Sequence, residues 1–191
     1  MNKILYLHGF ASASDSTKAQ QLNSHIKNNT SDISIHIPNI ENNISLAVDQ
    51  IERLIKKIKP TVIMGCSLGG FFGTYFSEKY NLKCVGINPA VIPPAEMSSY
   101  LGKNENYSTG EKFIIDKSQL DLLDEMGKEI KKIRSPKNFL ILLQSKDELL
   151  DYKEAISFYK GAVFDITFGG NHSFEKFDTY FKKIEYFLNM H

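Results

Sequence analysis

Short apolar runs alternate with longer amphipathic segments from the first residues of the chain onward. Ile4-Leu5-Tyr6-Leu7 is continuously apolar and stops at His8-Gly9, which predicts a buried strand ending in a turn. Residues Lys18 to Lys27 carry a weaker helical pattern. Ile33-Ser34-Ile35-His36-Ile37 alternates strictly, as a half-exposed strand does, and Pro38 closes it. Ile44, Val48, Ile51, Leu54, Ile55 and Ile58 recur at helical spacing with charges between them, the pattern of a helix that packs one face on a sheet. Pro60 ends that helix. Thr61-Val62-Ile63-Met64 is again continuously apolar, as a central parallel strand should be. A helix is predicted over Phe71 to Lys79, and buried strands over Val85-Gly86-Ile87 and Phe139 to Leu143. Asp151 to Lys160 reads as a helix, Ala162 to Thr167 as a sixth strand, and Phe174 to Leu188 as a last helix.

Repeated strand–helix–strand order predicts the α/β class: a mostly parallel sheet of about six strands with helices on both faces. The expected strand order is 2-1-3-4-5-6, with the alternating second strand at an edge and the loops after strands one and three at the switch point where ligands bind. The length of 191 residues fits one domain, 1–191. One stretch breaks the rhythm. The chain between Ile87 and Phe139 is far longer than a simple crossover of roughly a dozen residues. This insertion, about 91–137, opens with Pro93-Pro94 and continues through the polar segment Gly102 to Gly110. From Ser118 it reads as a helix, with Ser118 and Asp121 as a capping-box-like start and Leu122, Leu123, Met126, Ile130 and Ile133 along one face. Long loops of this kind are lids or binding loops in many proteins, or else surface excursions. A lid over an acyl pocket, from Pro93 to Lys117, is the expectation here.

Charge and composition narrow the function. Lysine plus arginine total 23, aspartate plus glutamate 22, and the net charge is +1, so there is no field to steer nucleic acid or an anionic membrane surface. The short basic clusters Lys56-Lys57-Ile58-Lys59 and Lys131-Lys132-Ile133-Arg134 sit near predicted helix ends, where cations suit the helix dipole. The two cysteines, Cys66 and Cys84, make no disulfide framework and fit a reducing compartment. The first apolar stretch is too short for a secretory signal, and no run approaches a membrane span, so a cytoplasmic location is expected.

Gly65-Cys66-Ser67-Leu68-Gly69 matches G-x-S-x-G. The motif is short, but here it follows an apolar strand and precedes a helix, the setting of a nucleophile elbow. The turn is so sharp that side chains two residues either side of the serine would collide with the adjoining backbone. The following helix start then favours developing negative charge. The Gly-Lys-Ser/Thr ending of a P-loop is absent.

A serine hydroxyl needs a base, and in this arrangement the order along the chain is serine, acid, histidine. Only His172 and His191 follow Ser67. His191 is the last residue and has no scaffold, whereas His172 sits in Gly169-Gly170-Asn171-His172-Ser173 between the sixth strand and the last helix. His25 and His36 read as ordinary polar positions. The acid belongs in the loop after the fifth strand, which offers Asp147, Glu148 and Asp151. Asp147 leads because it directly follows the strand, and Asp151 suits the cap of the next helix. Backbone N–H groups of Phe10, after the first strand, and Leu68, after the serine, are the expected oxyanion hole. No cluster of ligand-type residues has metal spacing, and neither metal nor cofactor is expected.

With these residues in hand, the chain resembles the small bacterial YqiA-type esterases of the α/β-hydrolase superfamily. The resemblance rests on Leu5-Tyr6-Leu7-His8-Gly9-Phe10, Gly65-Cys66-Ser67-Leu68-Gly69-Gly70 and Asn88-Pro89-Ala90. It continues through Tyr100-Leu101-Gly102, Asn104-Glu105-Asn106, Thr109-Gly110, Asp147-Glu148 with Leu150-Asp151-Tyr152, and Gly169-Gly170-Asn171-His172. It implies a reduced α/β-hydrolase fold without the leading antiparallel strands, and cofactor-free hydrolysis of carboxylic esters, with short acyl chains expected. It also implies Asp147 as the acid. Cys66 departs from the serine expected in the family. The expected partner is a small-molecule ester. Thioester hydrolysis would use the same parts, and a non-catalytic ligand-binding protein is the reading from a different class.

Overall fold

A computed structural model of the chain describes residues 2–91 and 95–189. Pro93-Pro94, which open the insertion, and His191 lie outside the described residues.

The apolar runs become strands because they can be buried on both faces. Strands β1 (Asn2–Leu7), β2 (Ile33–His36), β3 (Val62–Ser67) and β4 (Lys83–Pro89) form one sheet with β7 (Phe139–Gln144) and β8 (Val163–Thr167). The order is β2-β1-β3-β4-β7-β8, and every pairing is parallel. This is the expected 2-1-3-4-5-6 order, with the alternating β2 at one edge. Parallel strands need crossover helices. Here these are α1 (Thr17–Asn29), α2 (Ile44–Ile58) and α3 (Leu68–Tyr80). The second half of the insertion forms α4 (Lys117–Glu129), and beyond the insertion follow α5 (Tyr152–Phe158) and α6 (Phe181–Asn189).

Strand residues alternate between the two faces of the sheet. Ile4 and Tyr6 of β1 pack with α1 and α6 through Leu22, Ile26, Phe181 and Ile184. Leu5 and Leu7 face the other way, against α2 and α3 through Ile44, Ile51, Phe71 and Phe76. A third cluster sets α5 against β7 through Ala155, Phe139 and Ile141. The helix ends follow local chemistry: Asn43 caps α2 by accepting from Leu46 N at 3.1 Å, and Lys59 closes it in the left-handed region before Pro60.

Three details differ from the sequence reading. The insertion is not irregular throughout: Gly102–Glu105 (β5) and Lys112–Ile115 (β6) pair as an antiparallel hairpin. Helix α4 is capped by Asp116, not Ser118, because the Asp116 carboxylate accepts from Gln119 N at 3.1 Å while Ser118 Oγ donates to the same oxygen. The last helix does not begin at Phe174. Phe174 (φ 61°) and Lys176 (φ 54°) are left-handed, which no α-helix tolerates, and a 3-10 turn over Phe177–Tyr180 precedes α6. The kink buries the Phe174 ring edge-on to Phe177 and Tyr180. Among the described residues, no helix is long and apolar enough to cross a membrane.

Candidate active site

The site is built at the carboxyl ends of the central strands, where an open α/β sheet offers a crevice. β3 runs directly into α3 at Ser67, whose backbone sits at φ 53° and ψ −122°. Serine is driven into this left-handed region because strand and helix meet without a spare residue. The flanking glycines are required by contact. A Cβ at Gly65 would lie 2.1 Å from the Gly69 carbonyl oxygen, and one at Gly69 would lie 2.2 Å from that of Leu7. The strained turn therefore holds the Ser67 hydroxyl at the amino end of a 13-residue helix.

The loop after β7 brings in Asp147. Its carboxylate is almost fully buried, and Oδ1 accepts from the backbone N–H of Leu149 and Leu150, both at 2.9 Å. The loop after β8 brings in His172. Its Nδ1 lies 2.9 Å from both Asp147 oxygens, and its Nε2 lies 3.1 Å from Ser67 Oγ. An ionised carboxylate only accepts, so Nδ1 carries the proton and Nε2 is left to accept from the Ser67 hydroxyl. The structure thus joins Ser67, His172 and Asp147 in one hydrogen-bonded chain.

The other two acidic candidates go elsewhere. Glu148 Oε2 accepts from the backbone N–H of His172 at 2.9 Å, so it anchors the histidine loop. Asp151 caps α5 by accepting from Lys153 N at 2.9 Å. His25 pairs with Glu185 at 2.7 Å between α1 and α6. Cys66 is buried, and burial raises its thiol above the ordinary value, which keeps it protonated.

Two buried amides fix the histidine loop, and neither was singled out from sequence. Asn88, at φ 39°, accepts from Gln144 N at 2.9 Å and donates to the carbonyls of Asn171 and His172. Gln144 Oε1 accepts from Asn171 N and Glu175 N, and its Nε2 donates to the Glu175 carbonyl. For Asn88 the sequence signal is a polar residue ending an apolar strand, in the string Asn88-Pro89-Ala90.

Phe10 and Leu68 line the same cavity as Ser67 and His172. The loop carrying Phe10 lies against Ser67: a Cβ at Gly9 would come 3.5 Å from Ser67 Cβ. His8 locks that loop from behind. Its buried ring bonds the Gly9 carbonyl through Nδ1 and accepts from Ile40 N through Nε2, each at 2.9 Å. Burial lowers its pKa, which keeps it in this neutral form. The cavity holds about 70 Å³ and is walled by Ala90, Met97, Tyr100, Leu149 and Leu150. Among the described residues no three His, Cys, Asp or Glu side chains converge to hold a metal ion.

The same sheet recurs in solved structures of low sequence identity. Est1E from Butyrivibrio proteoclasticus with bound ferulic acid is 14% identical, with 98% of this chain and 88% of that chain covered and a TM-score of 0.76. Alpha/beta hydrolase domain-containing protein 10 from mouse is 12% identical, with coverage of 98% and 89% and a TM-score of 0.73. The esterase domain of a Rhodothermus marinus protein is 15% identical, with coverage of 96% and 84% and a TM-score of 0.69. These likenesses establish the α/β-hydrolase fold. Residues 3–189 match the sequence profile of the uncharacterised protein family UPF0227. The chain therefore belongs to that family, the YqiA-like group that its sequence strings resemble.

Proposed function

We propose that the protein is a serine hydrolase that cleaves short-chain carboxylic esters through an acyl-enzyme. One observation carries this reading: His172 lies 3.1 Å from Ser67 Oγ through Nε2 and 2.9 Å from both Asp147 oxygens through Nδ1. In the first half-reaction Ser67 Oγ bonds to the ester carbonyl carbon while its proton passes to His172 Nε2. Asp147 steadies the resulting imidazolium. The backbone N–H groups of Phe10 and Leu68 take the developing oxyanion, with the start of α3 behind them. Collapse breaks the bond to the alkoxy group, which leaves as the alcohol with the proton from His172. Water then attacks the acyl-enzyme by the same route in reverse roles, and the carboxylic acid departs.

The cavity supports the short acyl chain. The space of about 70 Å³ beside Ser67, walled by the apolar side chains of Ala90, Met97, Leu149 and Leu150, suits a small acyl group. The sheet shared with Est1E and with the R. marinus esterase domain supports hydrolase chemistry in general. The test is turnover of p-nitrophenyl acetate, butyrate and octanoate by wild type and Ser67→Ala. The wild type is expected to prefer the two shorter esters, and the folded variant to be inactive. A folded Ser67→Ala protein with wild-type turnover would overturn the assignment.

A further inference from the structure

The hairpin β5–β6 is mostly exposed, with Ile115 at the end of β6 buried, yet the asparagine that follows β5 is buried as well. Every hydrogen-bonding position of the Asn106 side chain is used. Oδ1 accepts from Ser108 N and Thr109 N, both at 3.0 Å, which shapes the hairpin tip. Nδ2 donates to the Ser12 carbonyl at 2.9 Å and to Asn42 Oδ1 at 2.8 Å. The next residue adds a backbone bond, Tyr107 N to the Ala11 carbonyl at 2.8 Å. The tip is thus bolted to the loop that follows β1, the loop that carries Phe10.

That loop needs holding. Ala11 stands at φ 51°, an unfavourable region for a residue with a Cβ, and such conformations persist only when their surroundings enforce them. His8 fixes the Gly9 carbonyl on one side of Phe10. The hairpin tip fixes the Ala11 and Ser12 carbonyls on the other. The Phe10 ring is gripped as well, by Tyr100 before the hairpin at a centroid distance of 4.7 Å and by Phe113 within it at 5.6 Å.

We propose that Asn106 is a positioning residue for the acyl-transfer reaction: by holding the Ser12 carbonyl from the hairpin tip it fixes the far side of the loop whose Phe10 N–H meets the oxyanion. The insertion is then a fixed part of the oxyanion machinery and not a lid that must open. This inference rests on the serine-hydrolase reading, and its test separates the two.

Asn106→Asp keeps an oxygen for Ser108 and Thr109 but sets a carboxylate oxygen against the Ser12 carbonyl in place of a donor. Losing an oxyanion donor costs about 10²–10³ in kcat, and an ångström-scale displacement about 10²; a fall in kcat of about 10–100-fold is expected. KM and the acid limb of the pH–kcat profile should stay put, because the Ser67–His172–Asp147 chain does not run through the hairpin. Phe113→Leu, which keeps apolar bulk but withdraws an aromatic edge from Phe10, should lower kcat in the same direction by a few-fold, and it carries the test if Asn106→Asp does not fold. A folded Asn106→Asp enzyme with wild-type kcat, or a loss carried by KM alone, overturns the positioning role while Ser67→Ala remains inactive. Wild-type turnover by Ser67→Ala overturns both readings together.

Discussion

Asp147→Asn tests the site through an orientation that the fold dictates. Oδ1 of Asp147 is pinned by the N–H groups of Leu149 and Leu150, each at 2.9 Å. An asparagine must keep its carbonyl oxygen there, which places its NH₂ at the Oδ2 position, 2.9 Å from His172 Nδ1. A donor now faces Nδ1 from the Oδ2 position, and only the neutral carbonyl oxygen at the Oδ1 position, also 2.9 Å away, is left to accept from it, so the tautomer with its proton on Nε2 is favoured over its share in the wild type. In that tautomer His172 cannot take the proton of Ser67. The lost charge adds to this. At an effective dielectric near 20, unit charges ~4 Å apart attract by ~4 kcal/mol, which is about a thousandfold in rate. The Asp147 side chain is only 3% exposed, so solvent screens little of it. A fall in kcat of about 10³–10⁴ is therefore expected, in line with the same change in a chymotrypsin-type triad. The assay is p-nitrophenyl acetate turnover, with folding checked by circular dichroism and Asp151→Asn run in parallel. Asp151 only caps α5, and asparagine caps as well, so that variant should keep most of its activity. A folded Asp147→Asn enzyme that keeps more than about a tenth of wild-type turnover would show that Asp147 does not orient His172.

Gly69→Ala would drive a methyl to within 2.2 Å of the Leu7 carbonyl oxygen and 2.4 Å of that of His8. Overpacking of this kind costs ~3 kcal/mol, so differential scanning calorimetry should show Tm falling by about 6–12 °C; an unchanged Tm would deny the close approach. His8 is held neutral by burial, below its unfolded value of 6.5, so unfolding takes up a proton between the two values. Its contribution is complete above about 6.5 and is lost as pH falls through the folded value. His8→Gln should remove that part of the Tm decline between about pH 7 and 5, and an identical decline in the variant would count against it. Glu52, lowered to about 2 chiefly by the hydrogen bond from the Tyr80 hydroxyl, loses its contribution at more acid pH, below 4.5.

The central sheet was readable in the sequence because β1, β3, β4 and β7 are buried on both faces and so leave continuous apolar runs. Ser67 was readable because the elbow allows only glycine at two flanking positions. His172 followed from chain order, and Asp147 from its place after a strand. The hairpin was not readable. Its strands, Gly102–Glu105 and Lys112–Ile115, are mostly exposed and show no apolar alternation, and what holds them is Asn106 and Phe113 against the β1 loop. The roles of Asn88, Gln144 and Glu148 were hidden for a related reason. Each bonds backbone groups distant in sequence, and such bonds leave no periodic mark. The apolar pattern from Phe174 onward fits a helix, yet α6 starts later because Phe174 and Lys176 are left-handed, with the Phe174 ring packed on Tyr180.

Covalent labelling with a fluorophosphonate, read by intact-protein and peptide mass spectrometry, tests Ser67 as the nucleophile most directly. One adduct per chain is expected, located on Ser67, absent from folded Ser67→Ala and strongly slowed in Asp147→Asn. An unlabelled wild-type protein, or an adduct that persists in folded Ser67→Ala, would contradict that assignment.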